Sequence, residues 1–232
     1  MKKGKLIVLD GTDGSGKATQ VALLKKRLQK NGVKVKTIDF PQYKNNFFGK
    51  LIGECLAGKR GDFIKVDSRI ASTLYAADRW ETSRKIYSWL EQGYVVIADR
   101  YVSSNQIHQG GKIRNNKERR EFLKWLDDLE FKVFKIPRPD LLLYLHLPVK
   151  LSFELLQKKS LTKKKHYLEG KKDLAESDVK HLEDSRKSAL KLVKESNQWA
   201  QIECSEKGHI LSREEINDRI FDVLHKKLGL KK

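Results

Sequence analysis

Short apolar runs alternate along the chain with longer stretches in which apolar positions recur every three or four residues. That alternation is the pattern of strands feeding helices in a parallel α/β sheet. The runs Leu6–Leu9, Val33–Phe40, Val95–Ala98, Leu141–Leu147 and Ala200–Glu203 predict five strands. They are nearly apolar end to end, which suits strands covered by helices on both faces. The intervening spacing predicts helices at about 16–30, 46–58, 67–92, 117–129, 149–159, 174–197 and 212–229. Val21, Leu24 and Leu28 share a face of the first, and Ile216, Ile220, Val223 and Leu224 a face of the last. No repeat or linker interrupts the series, so residues 1–232 are expected to form one domain around a five-stranded parallel sheet. Ligands of such sheets bind beyond the carboxyl ends of the strands, and the residues that follow each strand therefore carry most weight.

The first strand runs into Gly11-Thr12-Asp13-Gly14-Ser15-Gly16-Lys17-Ala18-Thr19, and a helix follows. This is a P-loop in its required context, strand before and helix after. Its glycines let successive N–H groups turn inward around a phosphate, and the helix N-terminus adds partial positive charge. The Lys17 ammonium can reach the outer phosphates. A mere glycine-rich turn before an ordinary helix predicts neither the lysine nor the spacing. The loop implies a bound nucleoside triphosphate and a P-loop NTPase fold. One position departs from the pattern: the hydroxyl residue that holds magnesium after the lysine is replaced by Ala18, and Thr19 points elsewhere on the helix. Mg2+ is still expected, held by carboxylate, water and substrate phosphates.

A length of 232 residues suits one domain with a full core, and four Trp, seven Tyr and nine Phe argue against disorder. Cys55 and Cys204 lie far apart with neither metal-ligand nor disulfide spacing, which points to a reducing cytoplasm. No run approaches the roughly 18 apolar residues of a membrane span. The net charge of +19 raises a nucleic-acid reading. The lysines, however, are spread along the chain without interleaved aromatics or a docking motif, so no dedicated nucleic-acid partner is expected. A basic surface attracts anionic nucleotides equally well.

After the third strand comes Asp99-Arg100-Tyr101-Val102-Ser103-Ser104-Asn105-Gln106-Ile107-His108-Gln109. Asp99 can hold a magnesium-bound water or receive a proton, and Arg100 offers a planar fork of donors to phosphate. If the stretch is helical, Ser104 with His108 and Asn105 with Gln109 line one wall. The plainer alternative is a strand-end salt bridge followed by a polar loop. On the third predicted helix, spacing of four puts the Tyr75 ring and the Arg79 guanidinium on one face, where a base could stack and be read. The alternative there is a core tyrosine beside an Asp78–Arg79 surface pair. Phe40-Pro41 ends the second strand, where a bend, with a cis bond, would aim Tyr43 or Lys44 across the crevice.

Together these pieces resemble the thymidylate kinases, which make dTDP from dTMP and ATP. The resemblance runs from Leu6 to about Leu228. It rests on Asp-Gly-x-Gly-Lys-x-Thr-Gln (13–20), Phe-Pro (40–41), Leu-Tyr-Ala-Ala-Asp-Arg (74–79), Asp-Arg-Tyr-x-x-Ser (99–104) with Gln109, and Pro-Asp-Leu (139–141). It implies a P-loop NTPase fold of the nucleotide kinase type, ATP on Gly11–Thr19, Mg2+ near Asp99, and Lys17, Arg100 and Asp99 as the catalytic set. The dTMP site would comprise Asp13, Phe40, Pro41, Tyr43, Tyr75, Arg79, Arg100, Ser104, Asn105, His108 and Gln109. Within it Asp13 would meet the 3′-hydroxyl, Tyr75 the thymine face, Arg79 its O4 and Asn105 its N3. Arg100 would bridge the two phosphates, and Tyr43 would approach the dTMP phosphate.

The resemblance also implies a homodimer and a mobile lid at about 158–173. Seven lysines stand in 158–172 against Glu169, with no arginine where the family often uses one. The chain departs from the family in Ala18, in Gln42 after Phe40-Pro41, in Ile107-His108 for Ala-Tyr, and in His146 at the fourth strand's end. These departures keep two further acceptor classes open, another pyrimidine nucleotide or a deoxynucleoside. An ATPase associated with nucleic acid and a slow, degenerate kinase are the remaining alternatives.

Overall fold

The computed structural model describes residues 3–162 and 179–230. Its first strand, β1 (Lys5–Asp10), leads through the glycine loop into α1 (Lys17–Lys30), and β2 (Val35–Asp39) and α2 (Phe47–Leu56) follow. A single 3-10 turn, Phe63–Lys65, precedes the long α3 (Ser68–Glu91), and β3 (Val95–Asp99) follows that. The chain then enters a continuous helical stretch, α4 (102–112), whose middle, Asn105–Gln109, is wound as a π-helix. Next come α5 (Asn116–Asp127), extended by a π-wound Asp128–Val133, then β4 (Leu141–His146) and α6 (Val149–Thr162). The last elements are α7 (Val179–Glu195), β5 (Trp199–Glu203), the short strands β6 (Ser205–Glu206) and β7 (His209–Ile210), and α8 (Arg213–Leu228).

The five long strands form one sheet of order β2-β3-β1-β4-β5, every neighbour parallel. β1 is central, with Ile7 opposite both Ile97 and Leu141. Successive strand residues point to opposite faces, and the core divides accordingly. Leu6 and Val8 pack with Ile86, Leu90, Phe122 and Leu126 on one side. Ile7 and Leu9 pack with Val21, Leu24 and Leu28 of α1 and with Ile216, Ile220, Phe221 and Leu224 of α8 on the other. Burial on both faces is why these strands are apolar throughout, at roughly 1.5–3 kcal/mol per fully buried Leu or Ile.

The predicted strands and helices recur with shifted ends. β2 begins at Val35, because Gly32 at positive φ closes α1 and the Val33 N–H returns to the Leu28 carbonyl. The Phe40–Pro41 peptide is cis, at the bend expected there. The stretch after β3, for which a helix was one of two readings, is helical as α4; the β6–β7 hairpin was not among the predicted elements, and it turns through Lys207 and Gly208, both at positive φ. Most of the expected lid, residues 163–173, and the start of the helix expected at 174–197, residues 174–178, lie outside the described residues; Lys158 lies within them.

Candidate active site

β1 ends in Asp10, and the chain must then reverse around the N-terminus of α1. Gly14 and Gly16 do so at φ +84° and +87°, a region in which side chains are strained. A Cβ on Gly14 would stand 2.3 Å from the Ser152 carbonyl oxygen, so the loop is pressed onto α6. Lys17 folds over the loop and donates to the Gly11 and Thr12 carbonyls at 3.0 Å each. Burial, then the neighbouring Arg100, hold its pKa below that of a free lysine. Thr12 Oγ1 and Ser15 Oγ are buried without a hydrogen-bond partner among the described residues.

β3 delivers Asp99 and Arg100 to the same crevice. Arg100 sits at φ +68° with its N–H on the Leu9 carbonyl at 2.9 Å. A non-glycine residue there costs on the order of 1–3 kcal/mol, and four side chains hold it in place. Its Nη2 is paired with Asp13. Its Nη1 donates to Ser104 Oγ at 3.3 Å, stands 3.0 Å from His108 Nε2, and lies 3.8 Å from the Asp10 carboxylate. Burial works against this cation, but Asp13, Asp10 and Asp99 outweigh it and keep the guanidinium charged. Burial pushes the Asp99 carboxyl up while Lys17 and Arg100 oppose the rise. Among the described residues the Asp99 carboxylate has no hydrogen-bond or ion-pair partner. The strand-end salt-bridge alternative fails, because Arg100 pairs with Asp13 of the P-loop rather than with its neighbour.

Farther from the loop, α3 presents Tyr75 and Arg79. Arg79 is buried, its Nε and Nη2 paired with Glu130 and its Nη1 donating to the Tyr101 carbonyl at 3.3 Å. Three of its five N–H groups are therefore committed, and burial is outweighed by Glu130 in fixing its charge. The π-wound stretch after α5 places Glu130. The surface-pair alternative for Asp78 fails too. Its carboxylate is fully buried, accepts from the Gln42 N–H at 3.1 Å and Asn46 Nδ2 at 3.0 Å, and is pushed up to about 6 by burial. Asp78 thereby fixes the loop that carries Tyr43. Asn105 donates Nδ2 to the Ser72 carbonyl at 3.1 Å, and Gln109 Oε1 is buried without a partner among the described residues.

These groups line one cavity of about 700 Å³. Asp13, Gly14, Gly16, Lys17, Ala18 and Thr19 form its P-loop end, with Asp99 and Arg100 at the middle. Phe40, Pro41, Tyr43, Tyr75, Arg79, Ser104, Asn105, His108 and Gln109 form the far end. Gly11, Thr12 and Ser15 lie behind the wall. Along α4, Ser104, Asn105, His108 and Gln109 all line the cavity while Ile107 enters the core.

Sequence reasoning missed several members. Asp10 is fully buried and accepts from the Gly11 N–H, Ser103 Oγ and Ser104 Oγ at 2.8, 2.6 and 2.8 Å; its place at the end of an apolar strand was the available signal. Lys112, His181 and Arg213 also line the cavity, as does Lys158 from the expected lid. Lys112 ends the α4 stretch, His181 and Arg213 arrive from α7 and α8, and no local pattern marks these three.

The thymidylate kinase family model matches residues 9–216. A probable thymidylate kinase of Thermococcus gammatolerans is 37% identical over 164 residues, covering 68% of this chain and 73% of that protein. The thymidylate kinase of Plasmodium falciparum is 32% identical over 151 residues, 63% of each chain. A solved thymidylate kinase from Candida albicans shares the fold with a TM-score of 0.73 at 24% identity, over 99% of this chain and 94% of that one. The chain belongs to the thymidylate kinase family and is an ATP-dependent nucleoside-monophosphate kinase.

Proposed function

We propose that this family member transfers the γ-phosphoryl group of ATP in line to the 5′-phosphate of dTMP, releasing ADP and dTDP without a covalent intermediate. The observation that carries the reading is the single cavity, with a P-loop at one end, a Tyr75–Asn105 pocket at the other and Arg100 between them. The loop N–H groups and the N-terminus of α1 hold the β-phosphate. Lys17 exchanges its two carbonyl partners for β- and γ-phosphate oxygens. Arg100, fixed by Asp13 and Ser104, spans donor and acceptor phosphates and neutralises the charge that spreads over the equatorial oxygens.

The donor set fits Mg2+. Ala18 brings no hydroxyl, yet the Asp99 carboxylate, which lines the cavity with Lys17 and Arg100 and has no hydrogen-bond or ion-pair partner among the described residues, offers hard oxygens there. Asp99 would hold the ion through water. Mg2+ supplies charge neutralisation at the β- and γ-oxygens when bound.

At the acceptor end the Tyr75 ring stacks on the base. The Asn105 amino group is committed to the Ser72 carbonyl, which leaves its own carbonyl oxygen as the group this lining residue can offer, an acceptor. An acceptor there pairs with the N3–H of thymine or uracil and meets a bare lone pair on cytosine. The two uncommitted N–H groups of Arg79 complement the O4 carbonyl. This chemistry favours a 4-keto pyrimidine. We further assign a homodimer, supported by the exposed apolar residues Phe47, Ile70, Trp80, Tyr87 and Val133 around α3. A cytoplasmic setting is supported by two buried free thiols, and among the described residues no helix is long and apolar enough to cross a membrane.

The test is ADP release from ATP and Mg2+ with dTMP, dUMP, UMP, CMP, dCMP, dGMP, thymidine or no acceptor. Strong preference for dTMP is expected, with dUMP next. Equal turnover with dCMP would sink the Asn105 argument, and turnover independent of acceptor would sink the kinase assignment for this acceptor class.

A further inference from the structure

The wall of the cavity beside Arg100 is built partly from α7, a helix to which no motif assigns a role. His108 stands between the two. Its Nε2 lies 3.0 Å from Arg100 Nη1, and its Nδ1 lies 3.0 Å from Ser185 Oγ on α7. One turn earlier on α7, the His181 ring stacks on His108, with centroids 5.4 Å apart and planes at 25°.

The chemistry of these partners fixes the protons. A guanidinium has five donors and no acceptor, so His108 Nε2 must offer Arg100 its lone pair. The ring proton then sits on Nδ1, and the hydrogen bond it makes there selects the tautomer. Nδ1–H donates to Ser185 Oγ. On the other side, Ser104 Oγ donates to Asp10 Oδ2 at 2.8 Å and is thereby left to accept from Arg100. Both hydrogens of Nη1 are consequently placed, one on Ser104 and one on His108.

We propose that His108 and Ser185 are positioning residues for Arg100, a neutral imidazole protonated on Nδ1 and anchored to α7 holding the guanidinium in the plane from which it bridges the two phosphates. The assignment rests on the reading of Arg100 given above. It adds that the orientation of Arg100 depends on an acceptor at His108 and on a helix outside every sequence motif. The surroundings keep that acceptor neutral. Burial dominates, Arg100, His181 and Lys17 also disfavour the cation, and Asp13 opposes them. A protonated ring would face an N–H of Arg100 with an N–H of its own.

The experiment has a spectroscopic and a kinetic arm. Long-range 15N–1H correlation spectra of the 15N-histidine-labelled protein report the tautomer of each ring, and the His108 signals are identified by their loss in His108→Gln. The expected result at pH 7 is a neutral ring protonated on Nδ1, with Ser185→Ala shifting population toward the Nε2–H form. A ring protonated on Nε2, or a cation, overturns the proposal without reference to activity. In steady-state kinetics His108→Gln, whose carbonyl oxygen can reach the Nε2 position, is expected to keep kcat within a few-fold. His108→Phe fills the space without an acceptor and is expected to lower kcat by about 10- to 100-fold, the scale of a misplaced catalytic group. Ser185→Ala is expected to lower kcat several-fold with both KM values little changed. Equal kcat for the Gln and Phe variants, each with a wild-type melting temperature, overturns the proposal. Failure of the underlying reading is seen separately, as a wild-type enzyme inactive with every acceptor.

Discussion

Lys17 is buried against its own loop, with its ammonium on two carbonyls that a triphosphate would replace. Replacing it by Ala removes a charge directed at the transferring phosphoryl group. The expected loss in kcat is about 10²–10³-fold, the size seen when one preorganised electrostatic contact is deleted. Circular dichroism should show an intact fold, and wild-type turnover in Lys17→Ala would refute the role.

Asp78 is a residue of the opposite kind, silent in chemistry but titratable. Its folded pKa is raised to about 6, against 3.8 for the unfolded carboxyl. Between those values the folded state binds the extra proton, so this group's contribution to stability falls as pH rises from about 4 to about 6. The whole change is roughly 3 kcal/mol at 1.36 kcal/mol per unit. Urea unfolding of wild type and Asp78→Asn across that window should show the difference between the two proteins moving in the variant's favour with rising pH. A pH-independent difference would refute the raised pKa. Arg79 was legible from its spacing with Tyr75, whereas its partner Glu130 was not, because the pair closes across 51 residues of sequence.

At the scale of elements, the strands were legible because each is buried on both faces, and burial writes itself as a continuous apolar run. The α4 stretch was not. Val102-Ser103-Ser104-Asn105-Gln106 has poor helix formers and no apolar period. Tertiary contacts hold it instead, through Ser103 and Ser104 on Asp10, Ile107 in the core and His108 on α7. The β6–β7 hairpin was hidden by its length, two residues a side. The π-wound extension of α5 has a consequence of its own, since it carries Glu130 beneath Arg79. Glu130→Gln leaves a buried guanidinium without its counter-charge, and breaking such a pair costs about 3–5 kcal/mol. Denaturant unfolding should register that loss. In whatever fraction folds, KM for dTMP should rise more than KM for ATP, because Arg79 faces the acceptor end; an equal rise in both would count against that placement.

At the scale of the molecule, the sheet accounts for the active site but leaves one flank of α3 unexplained. Along it Ile70, Trp80 and Tyr87 are exposed, Trp80 at 51%, with Phe47 at 69% and Val133 at 67% beside them. The Trp80 ring already leans on Phe134 at 6.2 Å, and Tyr87 donates to the Lys135 carbonyl at 2.8 Å, so the flank is a built surface rather than scattered side chains. A chain carrying +19 repels its own copies, and association must therefore come from apolar contact. An apolar flank can meet itself about a two-fold axis, each side contributing the same residues. Trp80 has the size and exposure of an interface anchor. Trp80→Glu is expected to raise the dimer dissociation constant by at least about 30-fold, equivalent to roughly 2 kcal/mol, with little effect on the fold. Sedimentation equilibrium across a concentration series checks this. A wild-type chain that stays monomeric at high micromolar concentration, or a dimer indifferent to Trp80→Glu, would show that α3 is not where two copies meet.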